Sequence, residues 1–354
     1  MNSLNLDLLE IILARLPIRT SQFATCDAKN KEILAHYGCD NWGLSLSLYS
    51  YISSFLTDEF ENHKDPTVYV LAYTDVGLIL VCSYSDTIGR TNYVANPISR
   101  QCVGIPTPPP QTLLRVSRPV PSGLVTRVED GVVLGYKVVL ISARNIIDVI
   151  TLLIYSSETG LWSLTTLRSS LLLRRIVWHN PVNLNGSLYW LGYEQSKPKI
   201  QVVVSHDFYA KSDLCQVLHF PDDLNNKSDC TRLPCTTSQG FLMYMNISLE
   251  RRLSIWRLES CEWKLVAQIT SKTAFDYIPL AINPFDSNIV YLLRNMHHCL
   301  ACANLDKGKF EDHISDSGTL TFSGDWDTAV KDHYEAYHTF SLPRWLYRIP
   351  SSLS

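Results

Sequence analysis

A strand–turn–strand phrase recurs along most of this chain of 354 residues and limits the folds that it can adopt. Each copy joins an apolar strand to a polar turn, after which an aromatic or aliphatic residue opens another strand. The clearest copies are residues 153–164 and 253–265. A period of this size indicates a repeat architecture. Equivalent positions lie 47 to 60 residues apart, at Cys102, Trp162, Gln216, Trp263 and Phe310.

A second strand pair lies between successive copies of the phrase. It is clearest at residues 185–191, which open with the strong hairpin signal Asn185-Gly186, and residues 239–245 and 287–293 are similar. Two hairpins in each period of roughly 40–50 residues are typical of a propeller blade. The sequence therefore predicts a large all-β domain, an irregular propeller with six or seven blades. A large β-sandwich or barrel, in which the hairpins are alike by chance, is the alternative.

Residues 4–37 show a helical pattern instead. The first predicted helix ends at Pro17, a second short helix runs through Phe23, and a third spans residues 28–37. The sequence thus predicts an α+β chain, in which three short helices precede the β domain. The apolar stripe of the first helix is wide. Its members are Leu6, Leu8, Leu9, Ile12, Leu13 and Leu16.

Three short helices cannot bury this many apolar side chains among themselves. Each large apolar side chain that stays exposed forgoes about 1.5–3 kcal/mol of stabilisation. Two interpretations follow from the residues alone. Either the helical segment packs against the rest of the chain, or its spare apolar face binds a partner.

The first helix resembles the opening of an F-box. Residues 4–17 read Leu-Asn-Leu-Asp-Leu-Leu-Glu-Ile-Ile-Leu-Ala-Arg-Leu-Pro, and the family pattern is Leu-Pro-x-Asp-Leu-Leu-x-x-Ile-Leu-x-x-Leu-Pro. Residues 18–20, Ile-Arg-Thr, are similar to the Val/Ile-Lys/Arg-Ser/Thr that follows in the family. The chain departs from the pattern at Asn5, Ala28 and Lys31, where the family has proline, cysteine and tryptophan.

Residues 77–269 resemble the F-box-associated domain of plant F-box proteins. The resemblance begins with Gly77-Leu-Ile-Leu-Val-Cys82 and continues with Asn96-Pro-Ile-Ser-Arg100. Asn183-Leu-Asn-Gly-Ser-Leu-Tyr-Trp190 and Leu253-Ser-Ile-Trp-Arg-Leu258 are similar to later phrases of the family. An F-box followed by an associated domain is the family's own order, so the two resemblances support each other.

The resemblance implies an organisation and a function. Residues 1–40 would be the F-box, residues 41–66 a linker, and residues 67–354 the F-box-associated domain. Such proteins are substrate receptors of SCF-type ubiquitin ligases, which bridge a target protein to a cullin-linked adaptor without catalysis or a cofactor of their own. The cytoplasm or the nucleus is the expected location. The residues expected to bind the adaptor are Leu4, Leu8, Leu9, Ile12, Leu16 and Pro17.

Composition excludes several other classes. The formal net charge is −3 and no dense run of lysine or arginine occurs, so general binding to nucleic acid or to a membrane surface is not expected. No apolar stretch is long enough to predict a membrane span. The ten cysteines are scattered, and several lie in strand-like apolar segments. We expect free thiols in a reducing compartment.

The sequence offers few candidates for chemistry. His297, His298, Cys299 and Cys302 lie close together, but strand alternation would separate them and a second ligand pair is missing, so no metal is predicted. Ser205-His206-Asp207 is a sequence neighbourhood rather than a catalytic triad. Two alternatives to a receptor stay open: a propeller enzyme or lectin with the helices as a cap, and an F-box protein that no longer binds the adaptor. The tryptophans expected to anchor blades are Trp162, Trp178, Trp190, Trp256 and Trp263.

Overall fold

The structure is a computed structural model, and its described part consists almost entirely of β strands. It describes residues 21–25, 33–36, 67–85, 89–96, 99–110, 119–130, 132–142, 147–197, 200–221, 235–248, 252–270, 277–283, 286–294, 299–306, 309–312, 337–340 and 349–350. In chain order the strands of the first half are β1 (Ser21–Thr25), β2 (Ile33–His36), β3 (Thr67–Tyr73), β4 (Ile79–Ser85), β5 (Gly89–Asn96), β6 (Gln101–Ile105), β7 (Pro119–Glu129), β8 (Val132–Ser142), β9 (Ile147–Ser156), β10 (Leu161–Leu184) and β11 (Ser187–Glu194). Those of the second half are β12 (Gln201–Asp207), β13 (Leu214–His219), β14 (Thr236–Ser238), β15 (Phe241–Ser248), β16 (Arg252–Glu259), β17 (Glu262–Thr270), β18 (Tyr277–Ile282), β19 (Ile289–Arg294), β20 (Cys299–Asn304), β21 (Lys309–Asp312) and β22 (Tyr337–Phe340).

Consecutive strands pair antiparallel and form blades. Three sheets have four strands in sequence order: β3–β6, β14–β17 and β18–β21. We call these blades I, IV and V. A larger, seven-stranded sheet runs from β7 to β13 and supplies blades II and III. In every four-stranded blade the first strand lies at one edge and the fourth at the other, as in a propeller.

Blades II and III share one strand. The first half of β10 pairs with β9 and completes blade II (β7–β10), and residues 173–184 of β10 pair with β11 and begin blade III (β10–β13). Arg168 and Ser169, in the middle of β10, pair in parallel with Leu214 and Cys215 of β13. The outer edge of blade II is therefore hydrogen-bonded to the outer edge of blade III, which joins two blades that are usually held together by side chains alone.

The first two strands and the last strand of the described chain form the fifth sheet, which is blade VI. Its strand order is β2-β1-β22, and all pairs are antiparallel. The inner strands β3, β7, β10, β14, β18 and β22 contact one another in cyclic order, and β22 contacts β3. The six blades therefore form a closed ring. This confirms the prediction of a propeller-like β domain.

Blade VI also corrects the prediction at the N-terminus. A helix through Phe23 and another over residues 28–37 were predicted, but Ser21–Thr25 and Ile33–His36 are strands. The local sequence satisfies a helical pattern, but β22 would otherwise expose unpaired backbone N–H and C=O groups at an open edge. Pairing with a distant segment therefore overrides local propensity. Residues 1–20, with the first predicted helix, and the predicted linker lie outside the described residues.

The apolar core lies between neighbouring blades rather than within one sheet. Alternate residues of β8 face opposite neighbours: Val138 and Leu140 pack toward blade I, and Val139 and Ile141 pack toward blade III. The same alternation occurs in β15, where Tyr244 packs toward blade III and the adjacent residues pack toward blade V. This is why the strands are apolar on both faces and read as continuous hydrophobic segments.

The turns between the first and second strands of each blade lie at one end of the ring. The predicted Asn185-Gly186 hairpin is confirmed, with φ of 49° and 77°, and Gln239 and Gly240 of blade IV repeat it with φ of 51° and 79°. Because antiparallel strands reverse at each turn, the turns between the third and fourth strands lie at the same end. We call this end of the ring the turn face. In the described part of the chain, no helix is long and apolar enough to cross a membrane.

Candidate functional site

The hairpin of β7 and β8 is long, with eleven residues in each strand. Its tip carries three exposed aliphatic side chains: Val128 is 37% exposed, Val132 is 56% exposed and Leu134 is 39% exposed. Asp130 occupies the turn with a φ of 50°, in the sequence Asp-Gly that favours a tight hairpin. The tip therefore offers apolar surface to the solvent at the turn face.

Tyr209 holds the base of this hairpin against blade III. The Nζ atom of Lys137 lies 4.3 Å from the centroid of the Tyr209 ring, and the Cζ atom of Arg127 lies 5.9 Å from it. Lys137 Nζ also donates a hydrogen bond to the carbonyl oxygen of Phe208. Burial raises the pKa of the Tyr209 hydroxyl and lowers that of the Lys137 ammonium. Two cations thus share one aromatic face, which fixes the hairpin relative to blade III.

The turn that holds Tyr209 is itself ordered by a carboxylate. One carboxylate oxygen of Asp207 accepts hydrogen bonds from the backbone N–H groups of Tyr209 and Ala210, at 2.8 and 3.2 Å. Gly186 allows the ring to approach, because a Cβ atom there would lie 3.0 Å from Tyr209 Cδ2. The position of the ring therefore depends on the sequence of two turns.

Arg127 lies between two carboxylates. Its Nη1 atom is 3.0 Å from Glu158 Oε1, and its Nε atom is 3.6 Å from Glu129 Oε1. Gly135 is needed here, because a Cβ atom at that position would lie 2.7 Å from Glu158 Cγ. With Asp130 at the tip, three carboxylates outnumber the two cations Arg127 and Lys137, and this part of the turn face carries an excess of negative charge.

Asp75 links blades I, II and III near the inner end of the same face. Its carboxylate accepts hydrogen bonds from the Thr126 hydroxyl at 3.4 Å and from the Asn185 backbone N–H at 3.2 Å. Asp75 is exposed, but the three surrounding blades displace much of its hydration, and this desolvation raises the pKa of its carboxyl group. Asp75 contributes to joining the blades around the hairpin.

Blade IV carries a second pairing of a cation with an aromatic ring on the turn face. The Cζ atom of Arg257 lies 4.7 Å from the centroid of the Phe241 ring. Arg257 and Lys264 both form ion pairs with Glu259. Unlike the β7–β8 hairpin, this site has two cations for one carboxylate. Both surfaces carry aromatic and arginine side chains, which are enriched at protein interfaces.

Comparison with known families matches residues 21–351 to a family model described as "F-box protein At3g26010-like, beta-propeller". The chain belongs to this family. The matched region starts at the first residue of β1 and ends beyond β22, so it takes in the whole ring, including blade VI. The predicted resemblance to plant F-box proteins with a propeller-like domain is thereby supported.

Two relatives from Arabidopsis thaliana are also named F-box proteins. F-box protein At3g28330 is 40% identical, and the match covers 100% of this chain and 97% of that protein. F-box protein At1g49990 is 31% identical, over 90% of this chain and 83% of the other. Among solved structures, prolyl oligopeptidase B from Galerina marginata matches with a TM-score of 0.44 and 11% identity, over 86% of this chain and 48% of that chain. Nothing about this chain follows from a likeness at that level.

Within this F-box propeller, the repeated sequence positions have a common place. Cys102, Trp162, Gln216, Trp263 and Phe310 all lie in the fourth, outermost strand of a blade: β6, the first half of β10, β13, β17 and β21. Trp162 Nε1 donates to the carbonyl oxygen of Pro106 at 2.7 Å, and Trp263 Nε1 donates to that of His219 at 3.0 Å. Each indole thus binds the end of the preceding blade's outer strand. Trp190 is buried between blades II and III, and Trp256 is half-buried between blades III and IV.

The other chemical candidates are structural where they are described. His206 is buried, its Nδ1 atom lies 3.3 Å from the Leu214 carbonyl oxygen, and it does not form a triad with Ser205 and Asp207 in the described contacts. Cys299 and Cys302 lie in β20, and the three nearby histidines lie outside the described residues. No group of three or more metal-ligating side chains occurs in the described part of the family's ring.

The predicted adaptor-binding residues lie outside the described residues, so they stay a prediction. The turn-face residues described above were not singled out from the sequence, because they come from several separate hairpins. The Asp130-Gly131 dipeptide, followed by two valines and a leucine, is the sequence signal that marks the hairpin. The predicted adaptor-binding residues are Leu4, Leu8, Leu9, Ile12, Leu16 and Pro17.

Proposed function

We propose that this chain is a substrate-recognition subunit of an SCF-type ubiquitin ligase. In this role the propeller holds a target protein, and the segment before the ring binds the cullin-linked adaptor. The chain performs no chemistry of its own, but raises the effective concentration of a substrate lysine near the ligase. The observation that carries the proposal is membership of an F-box propeller family, with relatives named F-box proteins over nearly the whole chain.

The strands of blade VI limit the segment that we propose as the adaptor contact. Because Ser21–Thr25 and Ile33–His36 pair within the ring, the contact is assigned to residues 4–17 alone. An apolar helix of this length buries enough surface for a micromolar complex when a partner covers it. A protein with this role is expected in the cytoplasm or the nucleus. A fluorescent fusion of the full chain should therefore be found there.

Co-purification with a plant SCF adaptor tests the proposal. The full chain should retain the adaptor, and the double change Leu16→Asp, Pro17→Ala should lose it, because an unpaired charge in an apolar interface costs several kcal/mol. Val132→Ser, on the turn face, is the matched control and should keep the adaptor. Failure of the unchanged chain to bind an adaptor at micromolar concentration would overturn the proposal.

A further inference from the structure

The tip of the β7–β8 hairpin combines two kinds of exposed side chain. We propose that it docks an extended segment of the protein substrate in which lysine or arginine residues stand next to aliphatic residues. This inference rests on the proposed receptor function, since it assumes that the propeller captures a protein. It assigns the capture to Glu129, Asp130, Val132 and Leu134.

The apolar part of the tip lacks cover within the described chain. Single exposed aliphatic residues are common, but here three lie within seven residues at the end of one hairpin. Val133 lies between them in sequence and is buried between blades I and II. The hairpin therefore contributes Val133 to the core, and the exposed aliphatic side chains are not needed there. Grouped exposure at a protruding tip is typical of a binding surface.

The charged part of the tip is complementary to a cationic partner. Glu129 and Glu158 both pair with the guanidinium of Arg127, and Asp130 adds a third carboxylate at the tip. Lys137 is a second cation that interacts with Glu158, but its ammonium also lies over the Tyr209 ring and donates to the Phe208 carbonyl oxygen, so the carboxylates still outnumber the nearby cations. An anionic surface of this kind attracts a basic segment and repels an acidic one.

The pairing of β7 with β8 places a carboxylate next to an aliphatic side chain. Glu129 is the cross-strand partner of Val132, and residues directly opposite in an antiparallel pair project to the same face with Cβ atoms roughly 4.5–5.5 Å apart. A carboxylate and an aliphatic side chain therefore form one contact site. The segment that fits it places a cationic and an aliphatic side chain at neighbouring positions.

The hairpin is also ordered before any partner arrives. Tyr209 fixes the side chains of Arg127 and Lys137, and Gly135 and Gly186 allow the close packing of Glu158 and Tyr209. A surface that is already rigid loses little conformational entropy on binding, which favours affinity for a short segment.

Fluorescence anisotropy with labelled peptides tests the inference on the full chain. The probe is a ten-residue peptide of alternating Lys and Leu, and its matched controls are alternating Glu and Leu, and alternating Lys and Gly. At about 50 mM salt we expect the Lys–Leu peptide to bind with a Kd of tens of micromolar, and about tenfold more weakly at about 300 mM. The Lys–Gly peptide should bind at least about fivefold more weakly, and the Glu–Leu peptide should not bind.

Variants locate the binding. The double change Glu129→Gln, Asp130→Asn should weaken the Lys–Leu peptide by about fivefold or more, and Val132→Ser should do so by a similar factor. Glu262→Gln, an exposed carboxylate on blade IV, is the matched control and should leave binding unchanged. Circular dichroism and Tm of each variant verify the fold. Equal binding of the Lys–Leu and Glu–Leu peptides, or no effect of the double change, would overturn the inference.

The peptide assay contains no adaptor, so its outcome is separate from that of the receptor proposal. A chain that captures the Lys–Leu peptide at the tip but binds no adaptor retains this docking site and loses the ligase role. A chain that binds the adaptor while its tip variants hold the peptide as well as the unchanged protein keeps the ligase role and loses this site.

Discussion

The indole nitrogen of Trp162 donates a 2.7 Å hydrogen bond to the carbonyl oxygen of Pro106, which directly follows the outer strand of the preceding blade. Trp263 makes the equivalent bond, of 3.0 Å, to His219 at the end of β13. The two tryptophans occupy corresponding positions of the sequence repeat. One residue type therefore performs the same task at two joints of the ring, where it ties the outer edges of neighbouring blades together.

Replacing each indole by a phenyl ring measures how much these hydrogen bonds contribute to stability. Trp162→Phe and Trp263→Phe keep an aromatic ring but remove the donor, so each should lower the free energy of unfolding by about 1–2 kcal/mol. Trp190→Phe, in the core between blades II and III, should cost about 1–3 kcal/mol through lost packing. Urea denaturation compares the three variants. No loss in either outer-strand variant would mean that these hydrogen bonds do not hold the blades.

A matched pair of glycines separates backbone strain from steric contact. Gly186 and Gly240 occupy equivalent turns with φ of 77° and 79°, but only a Cβ at Gly186 would lie close to another residue, 3.0 Å from Tyr209 Cδ2. Both changes to alanine should cost about 1–2 kcal/mol for the left-handed backbone. Gly186→Ala should cost about 1 kcal/mol more, through crowding of the Tyr209 ring.

The excess cost at Gly186 has its own control. In the background Tyr209→Leu, which withdraws the ring, Gly186→Ala should cost no more than Gly240→Ala, within about 0.5 kcal/mol in urea denaturation. The same excess in both backgrounds would show that the ring does not press on this turn.

His206 makes stability depend on pH. Burial lowers the pKa of its imidazole below the ordinary value, despite the Leu214 carbonyl oxygen near Nδ1, so the folded state binds a proton less readily than the unfolded chain. Its contribution is therefore fully present above about pH 6.5 and is lost as pH falls toward the folded pKa. Denaturation in urea at about pH 7.5 and about pH 5.5 should show this loss.

Replacement of the imidazole checks the assignment. His206→Gln removes the titrating group, so the loss of stability between the two pH values should become smaller, whatever its effect at the higher pH. Phe208→Leu, which alters the ring packed against His206 but keeps the imidazole, should retain a pH dependence. An unchanged slope in His206→Gln would assign the effect to other groups.

The sequence predicted the ring from signals that act over a few residues. Asn185-Gly186 supplies its own left-handed turn, and the continuous apolar segments of β8 and β15 reflect packing on two neighbouring blades. The sharing of β10 between two blades was not predicted, because pairing of Arg168 with Leu214 depends on strands that meet only in the ring. Local pattern sets the hairpins, and long-range pairing decides how they join.

The contacts of the turn face and of blade VI also join residues that are distant in sequence, so a local pattern could not predict them. Tyr209 and Lys137 are distant in sequence, and neither has a local pattern that indicates the contact between them. Helices were predicted through Phe23 and over residues 28–37, where the structure has strands, because caps and apolar spacing favour helices locally. The strand that competes with the helix, β22, lies at the other end of the chain, and a local pattern contains no information about it.

Truncation distinguishes the two structures of this segment. If residues 21–36 belong to the ring, removal of residues 1–20 should leave a soluble, cooperatively unfolding protein, whereas removal of residues 1–36 deletes β1 and β2 and leaves β22 without a partner. We expect the longer truncation to aggregate or to lose about 5 kcal/mol or more of its free energy of unfolding, because it loses strand pairing and exposes an open strand edge.

Removal of residues 337–354 deletes β22 and also Ile349, which packs against blades I and II. This truncation should have the same effect. Size-exclusion chromatography and urea denaturation measure all three. A folded, monomeric chain without residues 1–36 would show that the ring closes without β1 and β2.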